Sequence, residues 1–219
     1  MAEVGGLPIG QAVPVDDGPG ILRLDAVGEE ITTERLLLTP LRPDDADEMV
    51  EVLGVLGDER LHEFIGGRPA ALEELRERYA ALVEGSPDSG ERWLNWIVRR
   101  RSDVRPLGTV QATVTDEDGR WVAELAWVVG VAWQGQGFAS ESASALVDRL
   151  RRCGVTSIAA HVHPDHLASA VVAERAGLRP TAEEVDGERV WRMETSGVPP
   201  RRDGRRFELE AVSFDKIQC

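Results

Sequence analysis

Along the middle of the chain, apolar and polar residues alternate with a period near two. WLNWIVRR (93–100), LGTVQATV (107–114) and WVAELAWVVGV (121–131) are separated by the SDVRP and DEDGR segments, which predicts three successive antiparallel strands joined by hairpin connections. On either side the period lengthens. Upstream, TTERLLLTPL (32–41) is a short β-type run closed by Pro40, and Pro43 and Asp44 then open a helix that carries Met49, Val52 and Leu53 at helical spacing. Leu72, Leu75, Tyr79 and Leu82 form the apolar stripe of a second helix, with charged residues filling the positions between. Downstream, Ala143, Leu146, Val147 and Leu150 line one face of ESASALVDRLRR (141–152), and Gly154 stops that helix. VTSIAAHV (155–162) follows as a strand, HLASAVVAERAG (166–177) as a short helix, and GERVWRMET (187–195) as a last strand. Strands first, then strand, helix, strand, helix, strand, predict an α+β fold: a mixed, mostly antiparallel, six- to seven-stranded sheet flanked by helices.

The two ends have a different texture. Residues 1–30 are rich in glycine and proline and carry six acidic side chains against Arg23 alone, which reads as an extension without its own core. Residues 31–195 form the domain. From Ser196 to Cys219, VPPRRDGRR reads as a linker, and RRFELEAVSF either adds an edge strand or docks as a tail.

Composition bounds the function. A chain of 219 residues, 42% hydrophobic and 29% charged, is one ordinary domain with tails rather than a disordered or fibrous protein. No apolar run approaches the length of a membrane span, so no membrane partner is expected. The start lacks the basic and apolar regions of a secretory signal, and two cysteines in unrelated contexts build no disulfide framework, so a cytoplasmic location is the expectation. A formal net charge of −14 opposes non-specific binding to nucleic acid or anionic lipid and suits either a soluble enzyme in general or one whose substrate is cationic.

The chemistry concentrates in VGVAWQGQGFAS (129–140), where a strand runs into a glycine-bearing turn that opens a helix. Such a turn offers unpaired backbone N–H groups and the positive end of a helix dipole to a phosphate. Three readings compete on these residues alone. A dinucleotide fingerprint meets Ser140 in place of its third glycine, a phosphate-binding loop of the Walker type lacks its lysine, and a plain tight turn needs no ligand at all.

The context of the turn separates them. Gln134-Gly135-Gln136-Gly137-Phe138-Ala139 resembles the Q/R-x-x-G-x-G/A signature of the GCN5-related N-acetyltransferase (GNAT) superfamily, and the likeness runs from about Ile31 to Thr195. His163-Pro164-Asp165-His166-Leu167-Ala168-Ser169, with Glu174-Arg175-Ala176-Gly177-Leu178 after it, is similar to the second motif of the branch that acetylates N-terminal amines of ribosomal proteins. His166 stands where that branch usually has asparagine, and Leu178 where it has phenylalanine. The only tyrosine, Tyr79, does not occupy the place of the superfamily's usual general acid.

The resemblance implies a GNAT fold and acetyl-CoA as co-substrate. It assigns the pyrophosphate to the backbone of Gln134, Gly135, Gln136, Gly137, Phe138, Ala139 and Ser140, the pantetheine arm to the strand through Val129 and Val131, and further contacts to His166 and Ser169. The expected reaction is direct acetyl transfer to a primary amine, on a peptide or protein N-terminus or on a small molecule such as an antibiotic. A homodimer is compatible with it. A module that binds acyl-CoA without catalysis is the alternative, motivated by the missing tyrosine.

An amine must lose a proton before it attacks a thioester. Glu124 is the first candidate base because it interrupts an otherwise apolar strand; the competing reading is a carboxylate on a solvated face. His161 and His163 share one parity and could relay protons near neutrality. Three histidines within six residues raise zinc, but no cysteine or carboxylate set completes a tetrahedral site, so no metal is expected. Six tryptophans are read mainly as sheet core, some lining an acceptor pocket. Arg149, Arg151, Arg152, Arg175 and Arg179 are either contacts for the 3′-phosphate of coenzyme A or solvated helix face.

Overall fold

In the computed structural model, which describes residues 27–51 and 71–195, the alternating segments become the centre of one eight-stranded sheet. The strands are β1 (Ile31–Thr32), β2 (Leu36–Pro40), β3 (Glu91–Arg100), β4 (Pro106–Glu117), β5 (Arg120–Val129), β6 (Ser157–Val162), β7 (Arg179–Val185) and β8 (Glu188–Glu194), in spatial order β1-β2-β3-β4-β5-β6-β8-β7. All neighbours are antiparallel except β5 and β6, which are parallel and are joined, as parallel neighbours must be, by a crossover helix. The helices are α1 (Asp45–Glu51), α2 (Leu72–Glu84), α3 (Phe138–Arg152) and α4 (Leu167–Arg175).

The expected six or seven strands are thus eight. The run 32–41 divides into β1 and β2 because Thr33 closes a turn, its Oγ1 accepting the Leu36 N–H at 2.9 Å. The other addition is β7, whose RPTAEEV is largely exposed and shows no apolar alternation; it exists by pairing with β8 at the sheet edge. The helical positions Val52 and Leu53, and the edge strand or docked tail expected in 205–214, lie outside the described residues.

Period two gives the sheet two faces, and each face has its own cover. On the back, Trp96, Val98, Val110, Ala112, Val114, Leu125, Ile158 and Ala160 pack with the predicted stripe of α3 (Ala143, Leu146, Val147, Leu150) and with Val172 and Ala173 of α4. Val27, in the stretch read as extension, is buried in this same core, and the Glu29 carbonyl accepts the Trp96 indole N–H at 3.0 Å. On the front, α1 and α2 cover only the β2–β3 side, where Ala46, Met49, Leu75, Tyr79 and Leu82 close on Ile97. Arg99 ties that layer down: its guanidinium is buried and donates to Asp45 Oδ1 at 2.8 Å and Glu48 Oε2 at 2.6 Å. The front of β4, β5 and β6 has no helix of this layer packed on it among the described residues.

Gly108 sets how closely β4 and β5 approach at the end of the sheet where β5 terminates. It pairs with Val129, and a Cβ placed there would lie 1.9 Å from the Val128 carbonyl oxygen. Across β4 it faces the irregular step between Val98 and Arg99 on β3. Gly108→Ala is therefore expected to destabilise the fold by about 3 kcal/mol through forced overpacking, measured as a lowered urea midpoint with the slope unchanged.

Candidate active site

β5 and β6 pair only at Val122–Ser157, Ala123–Ile158 and Glu124–Ala159, and beyond these the ladder stops. On its other side β5 stays paired with β4 to Val129. The Gly130 N–H donates to the Leu107 carbonyl at 2.9 Å, which puts the even-numbered residues of β5 in hydrogen-bonded register with β4. By alternation, the N–H and C=O groups of Leu125, Trp127 and Val129 turn toward the gap left by β6. One of them is already used, since the Val129 carbonyl accepts the Gln134 side-chain amide at 3.1 Å. Val131, expected on the same strand, instead begins a short 3-10 turn, Val131–Trp133, after β5 has ended. Trp127 and Val129 are the strand residues facing the gap.

The glycine turn follows at once. Gly135 and Gly137 have φ of +73° and +81°, the left-handed region that glycine enters without strain, and Gly137 is the residue from which α3 starts. Three long-range contacts clamp this turn. The Arg35 guanidinium donates to the Gln136 carbonyl at 3.0 Å, lies 4.7 Å from the Phe138 ring centre and pairs with Glu141 at 2.7 Å. Glu141 also accepts from the Arg35 backbone N–H and the Thr33 hydroxyl. Partial burial by itself would raise the Glu141 pKa, but these hydrogen bonds together hold it below the ordinary range. Neither Arg35 nor Glu141 stands out in the sequence, because the pair spans more than a hundred residues; the only local signal is that Glu141 follows the glycine turn. Trp133 is flanked by the guanidiniums of Arg100 and Arg105, 4.7 and 5.4 Å from its ring centre.

Glu124 stands at the fork on the front face. Its cross-strand neighbours are Thr113, then Trp93, whose indole N–H donates to Glu91 at 2.5 Å. His161 shares the face two residues beyond Ala159, and its Nδ1 lies 3.7 Å from Glu124 Oε1. The Glu124 side chain is 25% exposed and that of His161 8%. Burial pushes the Glu124 carboxyl up to about 7, reinforced by Glu188 and Glu91. Burial also lowers the pKa of His161. Both groups are driven toward their neutral forms, so at neutral pH this contact is not a standing ion pair.

The other expected residues have local roles. His163 lies one residue past β6, where its Nδ1 accepts the Asp165 N–H at 3.2 Å. His166 is the N-cap of α4, its Nδ1 accepting the Ser169 N–H at 3.3 Å, the bond that an asparagine in this place would also make. Ala139 and Ser140 lie in the first turn of α3. Arg149 is bound to Glu29 and the Glu30 carbonyl, and Arg151 and Arg179 face Asp148 and Glu174. Tyr79 is buried, and its hydroxyl has no partner among the described residues. No group of three potential metal ligands occurs among the described residues, and no helix among them is long and apolar enough to cross a membrane.

Comparison with known proteins places the fold. Residues 35–179 match a family model described as an acetyltransferase (GNAT) domain. Among solved structures, the chain is similar to RimL, a ribosomal L7/L12 α-N-protein acetyltransferase in complex with coenzyme A, with 17% identity, a TM-score of 0.62, and 76% of this chain and 98% of the other covered. An acetyltransferase from Salmonella typhimurium that modifies the N-terminal serine of L7/L12 aligns at 17% identity and a TM-score of 0.60, covering 76% and 99%. The aminoglycoside acetyltransferase AAC(6′)-Ib, in complex with coenzyme A, aligns at 19% identity and 0.59, covering 73% and 94%. No curated protein matches the chain.

Two outcomes follow from the site. Below the ordinary glutamate pKa, Glu124 is neutral whether the chain is folded or not; between that value and about 7 the unfolded chain ionises while the buried carboxyl keeps its proton, so stability is lost across this window and levels off above it. Glu124→Gln is expected to be more stable than the parent by up to about 3 kcal/mol at about pH 9, with the difference vanishing near about pH 4, as read from urea midpoints. Gly137→Val forces a branched side chain into the left-handed region against Arg35; it is expected to cost about 2 kcal/mol and to abolish coenzyme A binding in calorimetry.

Proposed function

The chain belongs to the GNAT acetyltransferase family, and from that premise we propose that it moves an acetyl group from acetyl-CoA directly to a primary amine. The observation that carries this reading is the fork itself: a strand edge with free amide groups, running into a glycine turn at a helix start, with a raised carboxyl on the open face beside it. The amides of Gln134 to Ser140 are suited to the pyrophosphate, and the edges of Trp127 and Val129 to an amide-bearing arm added like a strand. A thioester supplies the activated acetyl group. The backbone N–H groups turned into the gap offer donors for its carbonyl oxygen.

Glu124 is the base in this reading. A carboxyl with a pKa of about 7 is partly ionised at neutrality and basic enough to take a proton from an ammonium, whereas an exposed glutamate would be a far weaker acceptor. The acceptor enters over the front face, which presents Trp93, Glu91 and Glu188 as well as Glu124. Two acceptor classes fit that chemistry, and both have precedents among the structural neighbours: protein N-termini and aminoglycosides.

The test is thiol release from acetyl-CoA with a serine-initiated peptide, glycinamide and an aminoglycoside as acceptors. Turnover on at least one is expected, with Glu124→Gln lowering kcat/KM about 100-fold. Tight coenzyme A binding without turnover on any acceptor would indicate a non-catalytic acyl-CoA module, and stabilisation by NAD or ATP but not by coenzyme A would sink the acetyltransferase reading.

A further inference from the structure

His161 is nine-tenths buried, and among the described residues its imidazole makes no hydrogen bond. Its neighbour Glu124 is in the same position: no hydrogen bond among the described residues reaches its carboxyl. Neither side chain is sealed from solvent, so their polar atoms, 3.7 Å apart and without hydrogen bonds to each other, are open to a third group that enters over this face. They converge from the two strands that part just beyond Glu124, on the face left open between β4 and β6.

We propose that Glu124 and His161 form a two-base cradle for the acceptor nitrogen, the carboxylate and the imidazole each accepting one of the two protons that an ammonium loses in becoming an amide. The inference rests on the acetyltransferase reading and deepens it. As the N–C bond forms, the thioester C–S bond breaks and its electron pair leaves on sulfur. The nitrogen passes one proton to Glu124 before attack and a second to His161 as the amide forms. One of the two then protonates the sulfur and the other goes to solvent, so charge and protons balance without a tyrosine acid.

The surroundings suit that division. The imidazole faces Glu183 of β7, Arg192 of β8 and Asp186 of the turn between them, and Arg192 is held by Glu183 at 3.1 Å. Burial, with Arg192 acting in the same direction, outweighs Glu183 and Asp186 and lowers the pKa of the ring, which favours the unprotonated form that can accept. Glu124 is faced by Glu188 of β8 and Glu91 of β3, and Glu91 is occupied by the Trp93 indole and the Ser86 hydroxyl. His163 is excluded from the cradle because its Nδ1 accepts from the Asp165 backbone.

The experiment compares the parent with His161→Gln and His161→Phe in acetyl transfer to glycinamide across pH, and follows the ring nitrogens of His161 by NMR in the coenzyme A complex. Both variants are expected to lower kcat about tenfold or more while KM for glycinamide moves less than about threefold, and to lose one ionisation from the acidic limb of kcat. Glycinamide is also expected to shift the His161 Nδ1 resonance of the parent. Unchanged kcat and an unchanged acidic limb in both variants, or a Nδ1 resonance that glycinamide leaves in place, would overturn the cradle. If the parent releases no thiol with any acceptor, the acetyltransferase reading fails, and the Nδ1 response alone decides whether the pair binds an amine.

Discussion

The parting of β5 from β6 after Glu124 is the constraint around which the molecule is arranged. Three residue pairs hold the two strands in parallel register, and then a strand in the middle of an eight-stranded sheet is left with an unpaired inner edge. An interior edge of this kind wastes hydrogen bonds that a continuous ladder would make, so the rest of the fold must hold it open. β4 does so from one side by pairing with β5 along ten positions, with Gly108 allowing close approach where β5 ends. From behind, α3 and α4 pack a continuous core across the backs of β4, β5 and β6, so the strands stay in one layer although they no longer bond to each other.

The same arrangement sorts charge in a protein of net −14. The end where β5 meets the glycine turn gathers arginines: Arg35 on the Gln136 carbonyl, Arg100 and Arg105 beside Trp133. The open front face gathers carboxylates, with Glu91 and Glu188 both acting on Glu124. A polyanionic co-substrate and a cationic acceptor would each meet the sign that attracts it, over distances within a Debye length of the surface.

How much of this was readable from one sequence depended on how local the cause was. The hairpins between β3, β4 and β5, the buried stripe of α3 and the glycines at 135 and 137 follow from period and turn chemistry. Glu124 was legible because a charge in an apolar strand is a local anomaly. The Arg35–Glu141 clamp and the contact of Gly108 with the Val128 carbonyl were not, because each depends on sheet register or on segments brought together from afar. β7 escaped because an exposed edge strand has no apolar face to reveal it. His161 and His163 share a strand parity, yet only the first faces Glu124, since β6 ends at Val162 and the turn beyond it takes the second imidazole for its own backbone.

What would make Glu124 a base in the proposed reaction is also what makes it costly. Desolvation is the largest cause of its raised pKa, and every increment of basicity gained in this way is an increment of folded-state stability surrendered at pH values where the group is ionised. A more exposed carboxylate would relieve the fold and lose the chemistry; a fully sealed one would keep its proton and never act. The Glu124 side chain, at 25% exposed, lies between these limits: it stands at the last paired position before the fork, and α1 and α2 stop short on the β2–β3 side. Neighbouring carboxylates shift the balance the same way, since Glu188 and Glu91 disfavour a second negative charge until a cation arrives. An incoming ammonium would reverse that penalty, stabilising the ionised form at the moment it is needed, so the groups that make the empty site strained are the ones that would make the filled site reactive.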